Sequence, residues 1–348
     1  MPTDTEPLEL LGNLLDAAKA AGAGCADAVL FEAAAISVAQ RLGAPEKLER
    51  AESRDLGLRV LIGKRQAMVS STDFGAAALD ELVERAVAMA KAAPEDPYCG
   101  LVDTDKLARN LPEIATYEAT DFTPEQLEAA ALEMEAAALG VKGVAMTSGC
   151  GASAGVGGSA FVTSTGFERA RLGSRCGLGV AAIAKDANGA MERDYDSHAA
   201  RRRSDLKTAQ EIGLSAGERA VSRVGAEKLA TGKMAVVFDK RVSTTFISSL
   251  LGAISGPAIA RGTSFLRDKM GQQIANPAIT VIDEPMRRRG QGSRPFDGEG
   301  VQGDTLTMVG LALDFCVQYS ALDAARLGFD VTVREGACRG IDLDGSQA

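Results

Sequence analysis

Apolar positions between Leu8 and Ala21 recur at helical spacing and stop at Gly22, predicting a first helix. From Ala26 to Arg41 the pattern shifts toward alternation, which predicts a strand. Leu56–Asp73 alternates on both sides of Gly63-Lys64 and reads as a hairpin. Leu79–Ala93 returns to helical periodicity and is stopped by P-E-D-P. Strands followed by a helix make up a first module.

Thr123-Pro124-Glu125-Gln126 carries a complete helix-start signal: a capping hydroxyl, a proline at the first helical position, and an amide three residues on. Its helix should reach about Ala138. Between Gly143 and Ser197 the chain breaks into short alternating runs punctuated by Gly and Ser, the pattern of an antiparallel meander rather than a parallel sheet. A helix over about Leu206–Val224 closes the region, and a boundary is expected near Gly225. Beyond it the pattern predicts a strand at Met234–Asp239, a helix at Val242–Ile259, helical turns around Phe265–Met270, and a strand at Ile279–Asp283. A glycine- and charge-rich loop then runs through Arg294–Gly300.

The fold class read from this order is α+β: an N-terminal α/β module with an antiparallel meander, then an incomplete β-rich C-terminal domain with a buried helix. The domains are 1–224, with sub-modules of about 1–100 and 120–224, and 225–348.

The 348 residues suffice for two domains with sizeable cores, and 46% hydrophobic with 24% charged residues is ordinary globular composition. Aromatics make up 4%, with Ala and Gly in their place, so helices should approach their neighbours closely. A net charge of −9 argues against direct nucleic-acid binding, which needs a basic face. Arg201–Arg203 and Arg287–Arg289 read as solvated loops. Six cysteines show no C-x-x-C spacing, and neither an apolar leader nor a membrane-length run is present. The expected location is a reducing cytoplasm, with no membrane association.

Candidate chemistry is sparse. G-C-G-A-S-A-G-V-G-G at 149–158 lacks the Lys of a phosphate loop, so G-V-G-G is expected to be a turn between strands. His198 is the single histidine, too few for a His-rich metal site, and is expected at a surface strand end. As an independent general base beside Asp194 or Asp196 it is the weakest of the readings. In R-P-F-D-G-E-G, the carboxylates of Asp297 and Glu299 could hold a cation, contact a peptide or fix the loop through Arg294. The helix F-I-S-S-L-L-G-A-I-S-G at 246–256 follows an apparent strand, a common place for chemistry, yet offers no carboxylate, imidazole, thiol or amine.

Four segments together resemble one family: L-G-L-R-V-L-I-G-K-R-Q-A-M-V-S-S-T-D with E-R-A-V-A-M-A-K-A-A-P-E-D-P-Y; V-T-S-T-G-F-E; G-A-I-S-G-P-A-I-A-R-G-T-S-F-L-R-D-K-M-G; and G-S-R-P-F-D-G-E-G. They resemble the TldD/PmbA family of DNA-gyrase modulators, and within it the PmbA (TldE) branch, over Leu8 to about Arg326. TldD-type members carry H-E-x-x-x-H on a helix after a strand, where histidines bind zinc and the glutamate activates water. The resemblance places Ser248 and Ala253 at the histidine positions and Ser249 at the glutamate.

It therefore implies a non-catalytic subunit with no catalytic residue, metal or cofactor of its own, paired with a TldD-type metallopeptidase that holds zinc and the general base. The complex would process or degrade unfolded peptides. Arg294, Asp297, Gly298, Glu299 and Gly300 become candidates for the peptide chamber or subunit interface, with Phe246–Ala260 packed beneath. A homodimer is a further assembly compatible with the resemblance. M-V-G-L-A-L-D-F-C-V-Q-Y-S-A-L-D-A-A-R-L-G is read as keeping the family's outline, with the C-terminal domain shortened and incomplete. A stand-alone regulatory protein of the gyrase-modulator kind and a degenerate family member stay open as rivals.

Overall fold

The computed structural model describes residues 5–119, 122–274, 281–303 and 306–308. Described residues up to Glu227, together with Arg288–Gly303, form one compact unit; those between Lys228 and Arg287 belong to a second, with the strand at 306–308.

The first unit is built on a six-stranded antiparallel sheet of order β3-β2-β1-β4-β5-β6. Its strands are β1 (Cys25–Arg41), β2 (Ala44–Ile62), β3 (Arg65–Ser71), β4 (Val144–Thr163), β5 (Glu168–Lys185) and β6 (Met191–Ala200). Helices α1 (Thr5–Ala20), α2 (Ala76–Ala92), α3 (Pro124–Leu139) and α4 (Ala209–Ser222) cover one of its faces. Because strand side chains alternate between faces, the core partners share a parity. Ala26, Ala28, Leu30, Leu56, Leu58, Val60, Ala160 and Val162 pack with α1 and α2. Val38, Ala152, Ala154, Cys176, Val180 and Ala182 pack with α3 and α4. Odd-numbered residues of β1, β2, β4 and β5 therefore look out of the opposite, helix-free face.

Local signals fix the ends of these elements. The Thr123–Gln126 capping box forms, and Thr208 with Glu211 forms a second one at the start of α4. Gly63 adopts φ +59 at the predicted hairpin turn. The α+β class and the meander of β4, β5 and β6 follow the sequence pattern.

The α3–α4 crossing shows what the alanine- and glycine-rich composition does. A Cβ on Gly213 would lie 2.2 Å from the Met134 carbonyl oxygen, and one on Gly217 would lie 2.7 Å from a methyl of Val141. The two helices touch backbone to backbone.

Among its described residues the second unit holds α5 (Lys240–Ile254), the single turn α6 (Gly256–Ala260), and β7 (Val281–Asp283) paired antiparallel with β8 (Leu306–Met308). Three expectations are corrected. Met234–Asp239 is not a strand, since a strand exists through ladder pairing and no described segment pairs with it. The predicted buried helix has no buried residue; Phe246 is 53% and Leu251 49% exposed. Finally, G-V-G-G is no turn but the middle of β4. The strand predicted at Ile279–Asp283 is observed from Val281 onward, and residues 309–348 lie outside the described set.

No helix among the described residues is long and apolar enough to cross a membrane.

Candidate functional site

The helix-free face is covered at one end by chain segments and left open further along. At the covered end Phe161, Phe167, Phe296 and Ala108 form a small core of their own. The rings of Phe167 and Phe296 meet edge to face at 5.0 Å. The R-P-F-D-G-E-G loop is thus anchored on the sheet of the first unit through Phe296. Val301 bridges Leu107, and the Ala108 N–H donates to the Gly300 carbonyl at 2.9 Å.

Within this loop the Asp297 carboxylate accepts from the Glu299 N–H at 2.9 Å and the Val301 N–H at 3.0 Å. Its side chain fixes the turn, the third of the roles open from sequence, but through backbone amides rather than Arg294. Glu299 acts at a distance on Arg59, which is ion-paired with Asp27. Burial opposes the Arg59 charge; Asp27 and, more weakly, Glu299 outweigh it and raise its pKa. Gly298 is open to solvent, with nothing near the place of a Cβ.

Gly300 is the constrained position. Its φ is +87, and a Cβ there would lie 2.8–3.0 Å from the buried Phe167 ring. Gly300→Ala is expected to cost about 2–3 kcal/mol through backbone strain plus overpacking. Denaturant unfolding against the wild type would read this; an unchanged midpoint would show that the loop is not anchored there.

Next to this core lies a trough of about 420 Å³. Its floor is the middle of β1, β4 and β5, where the outward-facing residues are Ala33, Ala35, Gly155, Gly157 and Gly173. The register aligns them across the sheet: Ala33 pairs with Gly157 and Gly157 with Gly173, while Ala35 pairs with Gly155 and Gly155 with Arg175. A side chain would be crowded at two of these glycines, by backbone at Gly155 and by the tip of a flexible side chain at Gly173. A Cβ on Gly155 would lie 3.0 Å from the Ala34 carbonyl oxygen, and one on Gly173 would lie 2.9 Å from the Arg201 guanidinium.

Arg171, Arg175 and Arg201 line the trough, with Ser293 and Pro295 on the loop side. Arg171 donates to the Ser159 hydroxyl at 2.9 Å. Arg201 donates to the carbonyls of Gln291 at 2.5 Å and of Gly290 and Ser174 at 3.4 Å. Burial, then the nearby charges of Arg294 and Arg201, push the Arg171 pKa down; burial and Arg175 do the same to Arg201. Glu32 also lines the trough, but its carboxylate pairs with Arg54 at 2.7 Å.

Arg294 thus reaches this basic cluster through its charge on Arg171, and Arg201 is not the solvated loop residue expected from its run. Arg289 of the second run pairs with Asp205 at 3.2 Å. Sequence reasoning passed over Arg171 and Arg175. The signal was present in A-R-L-G-S-R at 170–175, where Arg, Gly and Arg alternate on one strand face.

His198, half-buried in β6, accepts the Lys207 N–H at 3.2 Å through Nδ1. Burial and then Lys207 lower its pKa, which disfavours the charged imidazolium. In α5 the Ser248 and Ser249 hydroxyls donate to the carbonyls of Thr244 at 3.2 Å and Thr245 at 2.9 Å. The Ala253 carbonyl accepts from Ser264 at 2.6 Å. These three positions offer no imidazole or carboxylate, and their hydroxyls are turned onto the helix backbone. They do not fit a zinc ion.

Three family models match consecutive parts of the chain: PmbA/TldA metallopeptidase domain 1 over residues 26–90, the central domain over 117–224, and the C-terminal domain over 231–310. The chain belongs to the TldD/PmbA family. Metalloprotease PmbA of Escherichia coli O157:H7 is 32% identical over 278 residues, covering 80% of this chain and 62% of the relative. The chain thus spans less than two thirds of that protein's length. A Bacteroides thetaiotaomicron structure described as a modulator of DNA gyrase has the same fold, with a TM-score of 0.81 at 22% identity, covering 96% of this chain and 76% of the other. TldE from Thermococcus kodakarensis superposes with a TM-score of 0.69 at 19% identity over 86% and 67% of the two chains.

The remainder is different. Residues 297–348 match the isochorismatase domain model, and nicotinamidase of Acinetobacter baylyi is 46% identical over 43 residues, which is 12% of this chain and 20% of that protein. The segment Met308–Gly328, expected to keep the TldD/PmbA outline, lies within the match to this second family. The two resemblances overlap between residues 297 and 310.

Proposed function

We propose that this chain is a non-catalytic subunit of a TldD/TldE-type metallopeptidase complex that processes or degrades unfolded peptides in the cytoplasm. The observation that carries the reading is α5, where Ser248, Ser249 and Ala253, the residues that the resemblance puts at the family's zinc-motif positions, carry no imidazole or carboxylate, and the two serine hydroxyls donate to their own helix. The chain's one histidine stands in β6, so a second imidazole ligand does not exist anywhere in it. Zinc and the general base then belong to a TldD-type partner. This chain contributes a folded wall, with Arg294 and Glu299 exposing their charges from the loop that Asp297 and Gly300 hold in shape.

Co-expression with a TldD-type chain from the same source tests the reading. Size exclusion is expected to give a 1:1 complex that degrades casein faster than the partner alone, while this chain by itself is inactive. Recovery of gyrase with no TldD-type chain would replace it with the stand-alone regulatory reading, which the Bacteroides relative's description favours. A homodimer without either partner would also count against it.

A further inference from the structure

The trough on the helix-free face combines two features. Its floor carries nothing larger than a methyl at Ala33, Ala35, Gly155, Gly157 and Gly173 over three adjacent strands, so a ligand can lie close to the sheet itself. It is lined by Arg171, Arg175 and Arg201, none of which is ion-paired among the described residues. Arg175 has no hydrogen-bond partner there either. The carboxylate of Glu32, the acidic residue of the lining, is taken by Arg54.

Gathering cations without a counter-charge, Arg171 and Arg201 among them half-buried, costs stability, because each opposes the others' charged form in a setting screened less than bulk water. Such a cluster persists where an anion completes it. Guanidinium forks match a carboxylate in two-point geometry, and the volume of about 420 Å³ suits a small ligand or a short peptide end, not a polymer surface. The chain's net charge of −9 disfavours a long polyanion.

We infer that this trough is a carboxylate-recognition site that seats the C-terminal end of a peptide, its last residues flat on the glycine floor and its terminal carboxylate between Arg171, Arg175 and Arg201. The peptide identity of the ligand rests on the function proposed above; the anion preference rests on the arginines alone. Arg201 is positioned by the carbonyls of Gln291 and Gly290, so the covering loop sets one side of the recognition geometry.

Isothermal titration of this chain alone, with an N-acetylated Ala/Gly hexapeptide, reads the site directly. The free-acid peptide is expected to bind at least tenfold tighter than its C-terminal amide, and more weakly as salt is raised. Arg175→Gln, at an exposed and unpartnered position, is expected to weaken binding tenfold or more without lowering the melting temperature. Arg171→Gln should do the same. Equal binding of acid and amide, no binding of either, or binding of inorganic phosphate with the peptide excluded would each overturn the inference. The titration needs no partner subunit, so its failure leaves the proposed complex standing, and a failed co-purification leaves this result standing.

Discussion

Glu135→Ala is expected to destabilise the first unit by about 2–4 kcal/mol, because it breaks a buried hydrogen-bond network. Glu135 is 2% exposed at the inner side of α3, and its two oxygens complete the β1–β2 turn. Oε1 accepts from the Leu42 N–H at 2.8 Å and from the Thr147 hydroxyl; Oε2 accepts from the Gly43 N–H at 2.7 Å. Leu42 and Gly43 both have positive φ, so the turn is held in a conformation that Leu42 would not choose by itself.

Removing the carboxylate leaves the buried Thr147 hydroxyl without this acceptor and releases the turn. Glu135→Gln should cost less than alanine, since one carbonyl oxygen remains. Burial opposes the Glu135 charge, but Thr147, Gly43 and Leu42 outweigh it and hold its pKa below the ordinary 4.5. A carboxyl depressed in the folded state stabilises above its unfolded pKa, and that contribution disappears as pH falls through the folded value. The wild type should therefore lose stability below about pH 4.5 more steeply than Glu135→Ala. Parallel urea titrations at pH 7 and pH 4 would show it, and identical pH slopes would remove Glu135 from this role.

Gly213→Ala should be at least as damaging as a typical overpacking change, about 2–3 kcal/mol or more. The usual expectation for glycine to alanine inside a helix is a gain of about 1 kcal/mol from propensity. Here the added methyl would lie 2.2 Å from the Met134 carbonyl oxygen and 2.8 Å from the Ala137 Cβ, so α3 and α4 must separate. Backbone cannot give way as a side-chain tip can. Separation would also loosen Met134, Ala138, Ile212 and Ala216, all buried in the same core. A melting temperature at or above that of the wild type would mean that the crossing is looser than described.

Legibility in the sequence divides along the range of the forces involved. α1, α2 and α3, the Gly63 turn and the meander were readable because periodicity, caps and turn residues act within a few residues of one another. The Thr123 capping box needed no neighbour to be recognised. The loop from Arg294 to Gly300 was recognised as unusual, yet its attachment to Phe161 and Phe167 was not, since those rings lie over a hundred residues earlier.

G-V-G-G shows the limit most clearly. Glycine punctuates turns when judged locally, but here β1 and β5 flank β4 on both sides, and pairing with them makes these residues the floor of a trough. The reverse happened at Met234–Asp239, where β-favouring residues found no pairing partner in the described structure. Burial of α5 failed for a similar reason: apolar composition states that a helix can be covered, not what covers it.

The sequence by itself determined most helices of the first unit, its antiparallel meander and its family, because these depend on residue identity and near neighbours. Tertiary structure alone decided which faces the strands present, which loop residues hold the turn and which arginines converge. Those outcomes depend on pairing register and on contacts between distant residues, and no local pattern encodes the distance between Arg171 and Arg201.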